Sequence, residues 1–173
     1  DLAIGQMVLT PGKLLLPPEL GLLASLGIAE VQVRRRLRVA FFSTGDELCA
    51  IGEILQEGQV YDSNRYTLYG MLTRLGVEVV DMGVVPDERE ALQRALVEAT
   101  GSAEVLLTSG GVSVGEADFI RDVLAELGQV HFWRIAMRPG RPLAFGKIKE
   151  TVFFGLPGNP VAVMVTFYQL VQP

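Results

Sequence analysis

The amino-acid sequence predicts an α/β fold, a three-layer α/β/α domain around a mostly parallel sheet, preceded by a short piece of a neighbouring domain. Three observations carry this expectation. Apolar runs of strand length alternate with segments whose apolar residues recur at helical spacing: strand, helix, strand, helix, strand, helix, then further strands and a last helix. Small polar and charged loops follow the apolar strands, and right-handed crossovers would place those loops along one sheet edge. At 173 residues and 49% hydrophobic, the chain is long and apolar enough to bury a full core.

Residues 1–36 read as a separate unit with too few elements for a core of its own. Pro17-Pro18-Glu19 suits a helix start, Leu20, Leu23, Ala24 and Gly27 suggest one short helix, and Val31-Gln32-Val33 alternates like a strand. Arg34-Arg35-Arg36 reads as a solvated face or a linker, with no ligand assigned to it. The main domain, residues 37–173, opens with the strand Leu37–Phe42 and runs into Thr44-Gly45-Asp46-Glu47. Residues 49–60 read as a glycine-containing loop. Asp62, Ser63 or Asn64 is placed to cap a helix whose Leu68, Met71, Leu72 and Leu75 share one face, with Gly76 ending it. Val77–Val85 reads as the next strand. Pro86-Asp87-Glu88 then starts a helix that faces inward through Leu92, Ala95, Leu96 and Ala99; Asp87 is its expected N-cap or a carboxylate presented at the strand end.

The stretch from Thr108 to Asp118 joins the apolar run Val105-Leu106-Leu107 to a helix over 119–127, and contains three glycines, two serines and two carboxylates. Adjacent glycines suit a turn with positive φ or a close backbone approach to a ligand. Successive N–H groups in such a turn form an anion-binding concavity, and Glu116 or Asp118 is able to hold a hard cation beside phosphate. An ordinary strand-to-helix turn with Asp118 as helix cap accounts for the same residues. Gln129–Ile135 reads as a strand, followed by Met137-Arg138-Pro139-Gly140-Arg141-Pro142, a rigid turn with two guanidiniums suited to bidentate oxyanion contacts. Leu143–Ile148 and Thr151–Phe154 are the next strands. Gly155-Leu156-Pro157-Gly158-Asn159-Pro160 then leads into an apolar helix over 161–171, expected to be buried on most sides, with Asn159 as cap and Pro160 in its first turn.

The formal charge of −5, from 15 basic and 20 acidic residues, argues against non-specific nucleic-acid binding. No apolar run reaches the roughly 18 residues of a membrane span, and no signal-peptide pattern opens the chain. The single cysteine, Cys49, has no disulfide partner and fits a reducing, cytoplasmic compartment. With one histidine, His131, there is no His-based metal cluster and no convincing Ser–His–Asp or Cys–His arrangement. No glycine loop ends in Gly-Lys-Ser/Thr, and Gly-x-Gly-x-x-Gly spacing is missing, which weakens a P-loop or nicotinamide-binding reading. Together the polar loops suit an anionic phosphorylated ligand and a divalent metal.

Five motifs, STGDEL at 43–48, VYDSN at 60–64, TSGGVSVGEAD at 108–118, MRPGRP at 137–142 and GLPGNP at 155–160, resemble the molybdopterin molybdenumtransferase (molybdenum insertase) family, which includes the E domain of gephyrin. They keep that family's order and spacing across 37–173, and residues 20–33 resemble the end of its preceding domain. The resemblance implies a molybdopterin-binding domain and a divalent-metal-dependent insertion of molybdate into adenylylated molybdopterin, with release of AMP. It implies acidic positions at Glu47, Asp87 and Asp118, with Glu47 and Asp118 handling Mg²⁺ or water. It implies basic positions at Arg134 and Arg138, the latter binding oxyanion. It implies ligand-binding loops with Thr44, Gly45, Asp46, Ser109, Gly110, Gly111, Ser113, Arg141, Pro157, Gly158, Asn159 and Pro160. Ala162 departs from the serine that relatives often carry there. The family's C-terminal β domain would begin where the chain ends at Pro173, so the chain reads as a fragment of a longer protein, a homodimer when whole, in contact with other molybdenum-cofactor biosynthesis proteins. The related molybdopterin adenylyltransferases share the SGG loop, and a non-catalytic molybdopterin-binding or scaffold domain is the non-enzyme alternative. Proteins related to the competence-damage-inducible family, which use this fold with other nucleotide chemistry, are a weaker alternative.

Overall fold

The computed structural model describes residues 2–112 and 119–173 and divides into two compact units, Asp1–Arg35 and Arg36–Pro173. The first contains helix α1, Pro17–Ser25, with proline at its start. The Glu19 carboxylate accepts a hydrogen bond from the Leu16 N–H at 3.0 Å and pairs with Lys13 at 3.3 Å. The Leu16 amide, with Lys13 adding to it, holds the Glu19 carboxyl below its usual range. Val31-Gln32-Val33 forms no strand. Its alternation meets no partner ladder, and Val31 and Val33 stay exposed.

In the second unit the strands are β1 (Arg38–Thr44), β2 (Leu48–Cys49), β3 (Val60–Tyr61), β4 (Glu78–Val85), β5 (Val105–Ser109), β6 (Gly128–Arg134), β7 (Pro142–Ile148) and β8 (Thr151–Leu156). The helices are α2 (Ser63–Arg74), α3 (Arg89–Ser102), α4 (Phe119–Leu127) and α5 (Pro160–Thr166), the last continued by a π-helical turn over Phe167–Val171. Six strands form one sheet in the order β4-β1-β5-β8-β7-β6. β4, β1, β5 and β8 pair in parallel; β7 is antiparallel to both β8 and β6. β6 therefore runs with the parallel set, and β7 alone runs against it.

Successive β1 side chains face opposite layers, as strand geometry requires. Val39 and Phe41 pack with Leu68, Met71 and Leu72 of α2 and with Val163 and Phe167 at the C-terminal helix. Ala40 and Phe42 pack with Leu92 and Leu96 of α3 and with Ile120, Val123 and Leu124 of α4. This is the expected three-layer arrangement, with a separate apolar core on each face of the sheet.

Several local expectations are corrected. Cys49 and Val60, the ends of the expected 49–60 loop, lie in strands: β2 and β3 pair in parallel as a small second sheet. Strands of two residues carry no periodicity for a sequence to show. Leu75 falls at the C-cap of α2 and is exposed, past the last turn that meets the core. The N-cap of α3 is Glu88, in extended conformation and with no side-chain cap bond, so Asp87 precedes the cap and remains at the end of β4. The C-terminal helix is not buried on most sides. Val163, Thr166 and Phe167 face the core, whereas Val161, Met164 and Tyr168 are exposed.

Candidate functional site at the carboxyl edge of the sheet

Because β6 runs with β1, β4, β5 and β8, the connections leaving all five strands emerge at one sheet edge. That edge gathers Thr44–Glu47, Pro86–Glu88, the start of the loop at Ser109, the 135–141 turn and Pro157–Asn159. Helix α2 carries the chain from β1 outward to β4, whereas α4 carries it from β5 toward β6 on the other side. β1 and β5 are neighbours, with Ser43 opposite Ser109. The fold thus switches direction between these two strands, where open α/β sheets leave a crevice for ligand.

The crevice walls are held at short range. Gly110 has φ +88°, its N–H donates to the Leu156 carbonyl at 3.2 Å, and a Cβ there would overlap the Thr44 carbonyl oxygen. Gly155 leaves room for Val112 to close over β8, since a Cβ on it would lie 2.5 Å from Val112 Cγ1. On the opposite wall Asp62 caps α2, its Oδ1 accepting from the Arg65 N–H at 3.1 Å. Asn64, two residues further, donates from Nδ2 to Ser109 Oγ at 2.8 Å and to the Gly158 carbonyl at 2.7 Å. Asn159 caps α5 by accepting from the Ala162 N–H at 3.1 Å.

The polar ends of the central strands are buried. Ser43, Thr44, Thr108 and Ser109 are at most 3% exposed, and the hydroxyls of Ser43, Thr44 and Thr108 have no hydrogen-bond partner among the described residues. Buried hydroxyls are ordinarily satisfied, so their concentration at the switch point marks a polar pocket floor. Charge surrounds it: Asp46, Glu47, Arg134, Arg138 and Arg141 are exposed, and Asp87 is half-buried. Pro157 is buried, whereas Gly158, Asn159 and Pro160 are exposed. Ser113, Glu116 and Asp118 lie outside the described residues.

Among the described residues no three His, Cys, Asp or Glu side chains cluster as metal ligands. Magnesium is commonly held by one or two carboxylates together with ligand phosphate oxygens. The exposed carboxylate of Glu47 fits that partial donor set, and its expected companion Asp118 lies outside the described residues. Cys49 is not a candidate nucleophile: burial, with the Glu53 carboxylate adding to it, pushes its thiol above the ordinary value.

Sequence reasoning placed the loop residues on one edge but missed Asn64 as a site residue, considering it only as a helix cap. The available signal was the run Asp62-Ser63-Asn64, where one capping residue leaves another amide side chain free for tertiary contact. It also missed a brace within β4. Arg65 Nε reaches both Asp81 oxygens, at 2.9 and 3.0 Å, and Asp81 accepts from the Gly83 N–H at 3.0 Å. These contacts fix a bulge in β4 where its register with β1 shifts between Phe41 and Ser43.

A doubly covered, mostly parallel sheet with a glycine-lined polar crevice at its switch point defines a class of α/β domain that takes anionic ligands at the strand ends. The chain belongs to the molybdopterin-binding family: residues 40–173 match the family described as "Probable molybdopterin binding domain". It is 54% identical over 173 residues to a molybdopterin molybdenumtransferase of Haemophilus influenzae, covering 100% of this chain and 43% of that protein. A molybdopterin molybdenumtransferase of Nostoc sp. is 42% identical over 98% of this chain and 40% of its own length. Among solved structures, the molybdopterin biosynthesis moeA protein of Pyrococcus horikoshii superposes with a TM-score of 0.80 at 38% identity, over 90% of this chain and 39% of that one. The chain thus spans about two fifths of the length of these relatives.

Proposed function

We propose that this chain is the ligand-binding domain of a molybdenum insertase, which transfers molybdate into adenylylated molybdopterin and releases AMP. The observation that carries the reading is the convergence of five polar loops on one switch-point crevice, in a chain that aligns over its whole length with molybdopterin molybdenumtransferases. In this reading the Ser109-Gly110-Gly111 and Pro157–Pro160 loops, with Ser113, bind the phosphate and pterin. Thr44, Gly45 and Asp46 form the facing wall.

Arg134, Arg138 and Arg141 supply guanidiniums that neutralise molybdate and phosphate oxygens, with Arg138 as the principal oxyanion contact. Glu47 and Asp118 are the carboxylates that would hold Mg²⁺, and Asp87 supports them from the end of β4. When bound, the ion would neutralise charge on the phosphoanhydride whose P–O bond breaks. The chain's own residues orient the two anions, exclude water at the buried strand ends and place a carboxylate beside the leaving phosphate. We place the whole protein in the cytoplasm as a homodimer that exchanges pterin intermediates with other cofactor-biosynthesis proteins, and read residues 1–36 as the end of its preceding domain.

Calorimetric titration with adenylylated molybdopterin, with and without Mg²⁺ and molybdate, tests this. Binding that weakens on Arg138→Ala, and loses its Mg²⁺ dependence on Asp118→Asn, is the expected result. A folded chain, and a full-length protein, that bind no adenylylated molybdopterin would overturn the reading.

A further inference from the structure

One side chain, that of Asn64, hydrogen-bonds to both glycine loops of the crevice. Asn64 is buried in the first turn of α2, and its Nδ2 lies within hydrogen-bond distance of both Ser109 Oγ and the Gly158 carbonyl. A carboxamide nitrogen has two hydrogens, so one can go to each. The Gly158 carbonyl can only accept, and this settles the orientation of the amide: the nitrogen faces the loops and Oδ1 faces away. Ser109 Oγ therefore accepts from Asn64, and the hydroxyl keeps its own hydrogen to donate. The Ser109 hydroxyl has no second hydrogen-bond partner among the described residues. Asn64 Oδ1 is itself buried without a partner among those residues, a destabilising arrangement that an apolar side chain of the same shape would avoid. Its presence makes sense if the amide serves the crevice.

We infer that Asn64 is a positioning residue that ties the loop after β5 to the loop after β8 and holds the Ser109 hydroxyl as a hydrogen-bond donor to an oxyanion bound between them. This rests on the reading of the crevice as the ligand site. The two loops meet closely at this tie, with the Cβ position of Gly158 4.0 Å from Gly110 Cα. Without the amide, the Gly158 carbonyl loses a donor and the serine hydroxyl turns toward the nearest protein acceptor. An anionic ligand then meets a mispaired wall.

The test is a double-mutant cycle on ligand affinity, using Asn64→Leu, Ser109→Ala and both together, titrated with adenylylated molybdopterin. Each single change is expected to weaken binding by about tenfold, the scale of one lost hydrogen bond in a desolvated site. The double variant is expected to bind no more than about threefold more weakly than the poorer single, because Ser109 no longer contributes once Asn64 is gone. Additive losses, or an Asn64→Leu protein of unchanged affinity, would overturn the inference. Lowered thermal stability with unchanged affinity of the folded protein would mark Asn64 as structural only. If the wild-type chain fails to bind, the crevice reading falls and the donor role with it. The tie between loops is then decided by hydrogen exchange of the Asn64 side-chain amide: slow exchange supports it, and exchange at the solvent rate refutes it.

Discussion

At Gly110 the backbone has φ +88° and lies against the Thr44 carbonyl, where the ends of β1 and β5 come together. Any Cβ would both strain that conformation and push the two strand ends apart. Gly110→Ala is therefore expected to cost roughly 1–3 kcal/mol of stability and to weaken anion binding more than it lowers the melting temperature would suggest. Thermal denaturation paired with calorimetric titration checks both. Residue by residue, the sequence shows such positions only as types. A pair of glycines after an apolar strand says that the backbone is unusual there, but not that Thr44 is what it meets. Asp87 illustrates the same limit: Pro86-Asp87-Glu88 announces a helix start, yet the cap falls one residue later. Which residue takes the cap depends on where β4, ending at Val85, releases the chain.

Helix α5 shows how an element combines local and tertiary terms. Asn159 and Pro160 form a start signal that the structure keeps, with the side-chain oxygen accepting from the Ala162 N–H. Asn159→Ala should cost about 1 kcal/mol, as the loss of a helix cap does, read as a lowered denaturant midpoint with an unchanged slope. The apolar run after it looked buried all round, but the helix lies on the sheet by one side. Composition cannot reveal this, because an apolar residue is no proof of burial. The mirror case is β1, where Val39–Phe42 is apolar at every position and is covered on both faces. Its place at the centre of a doubly covered sheet accounts for the difference.

For the whole molecule, the division between Asp1–Arg35 and Arg36–Pro173 falls within a run of exposed arginines. Limited trypsin digestion is expected to cleave first at Arg34, Arg35 or Arg36 and leave a product near residues 36–173 that keeps its far-UV circular dichroism. Early cleavage inside the sheet domain, or a product that unfolds, would contradict two independent compact units. The alternation of strand and helix in the sheet domain, and the inward face of α3 through Leu92, Ala95, Leu96 and Ala99, were determined by the sequence alone, since periodicity is a local property of the chain. So was the set of loops that carry charge and glycine. Tertiary structure alone decided the strand order β4-β1-β5-β8-β7-β6 and the reversed direction of β7. It also decided that Asn64 hydrogen-bonds to both Ser109, 45 residues away, and Gly158, 94 residues away. The reason is physical: hydrogen bonds across such separations depend on how strands pair and layers stack, and no local pattern of residues encodes that distance.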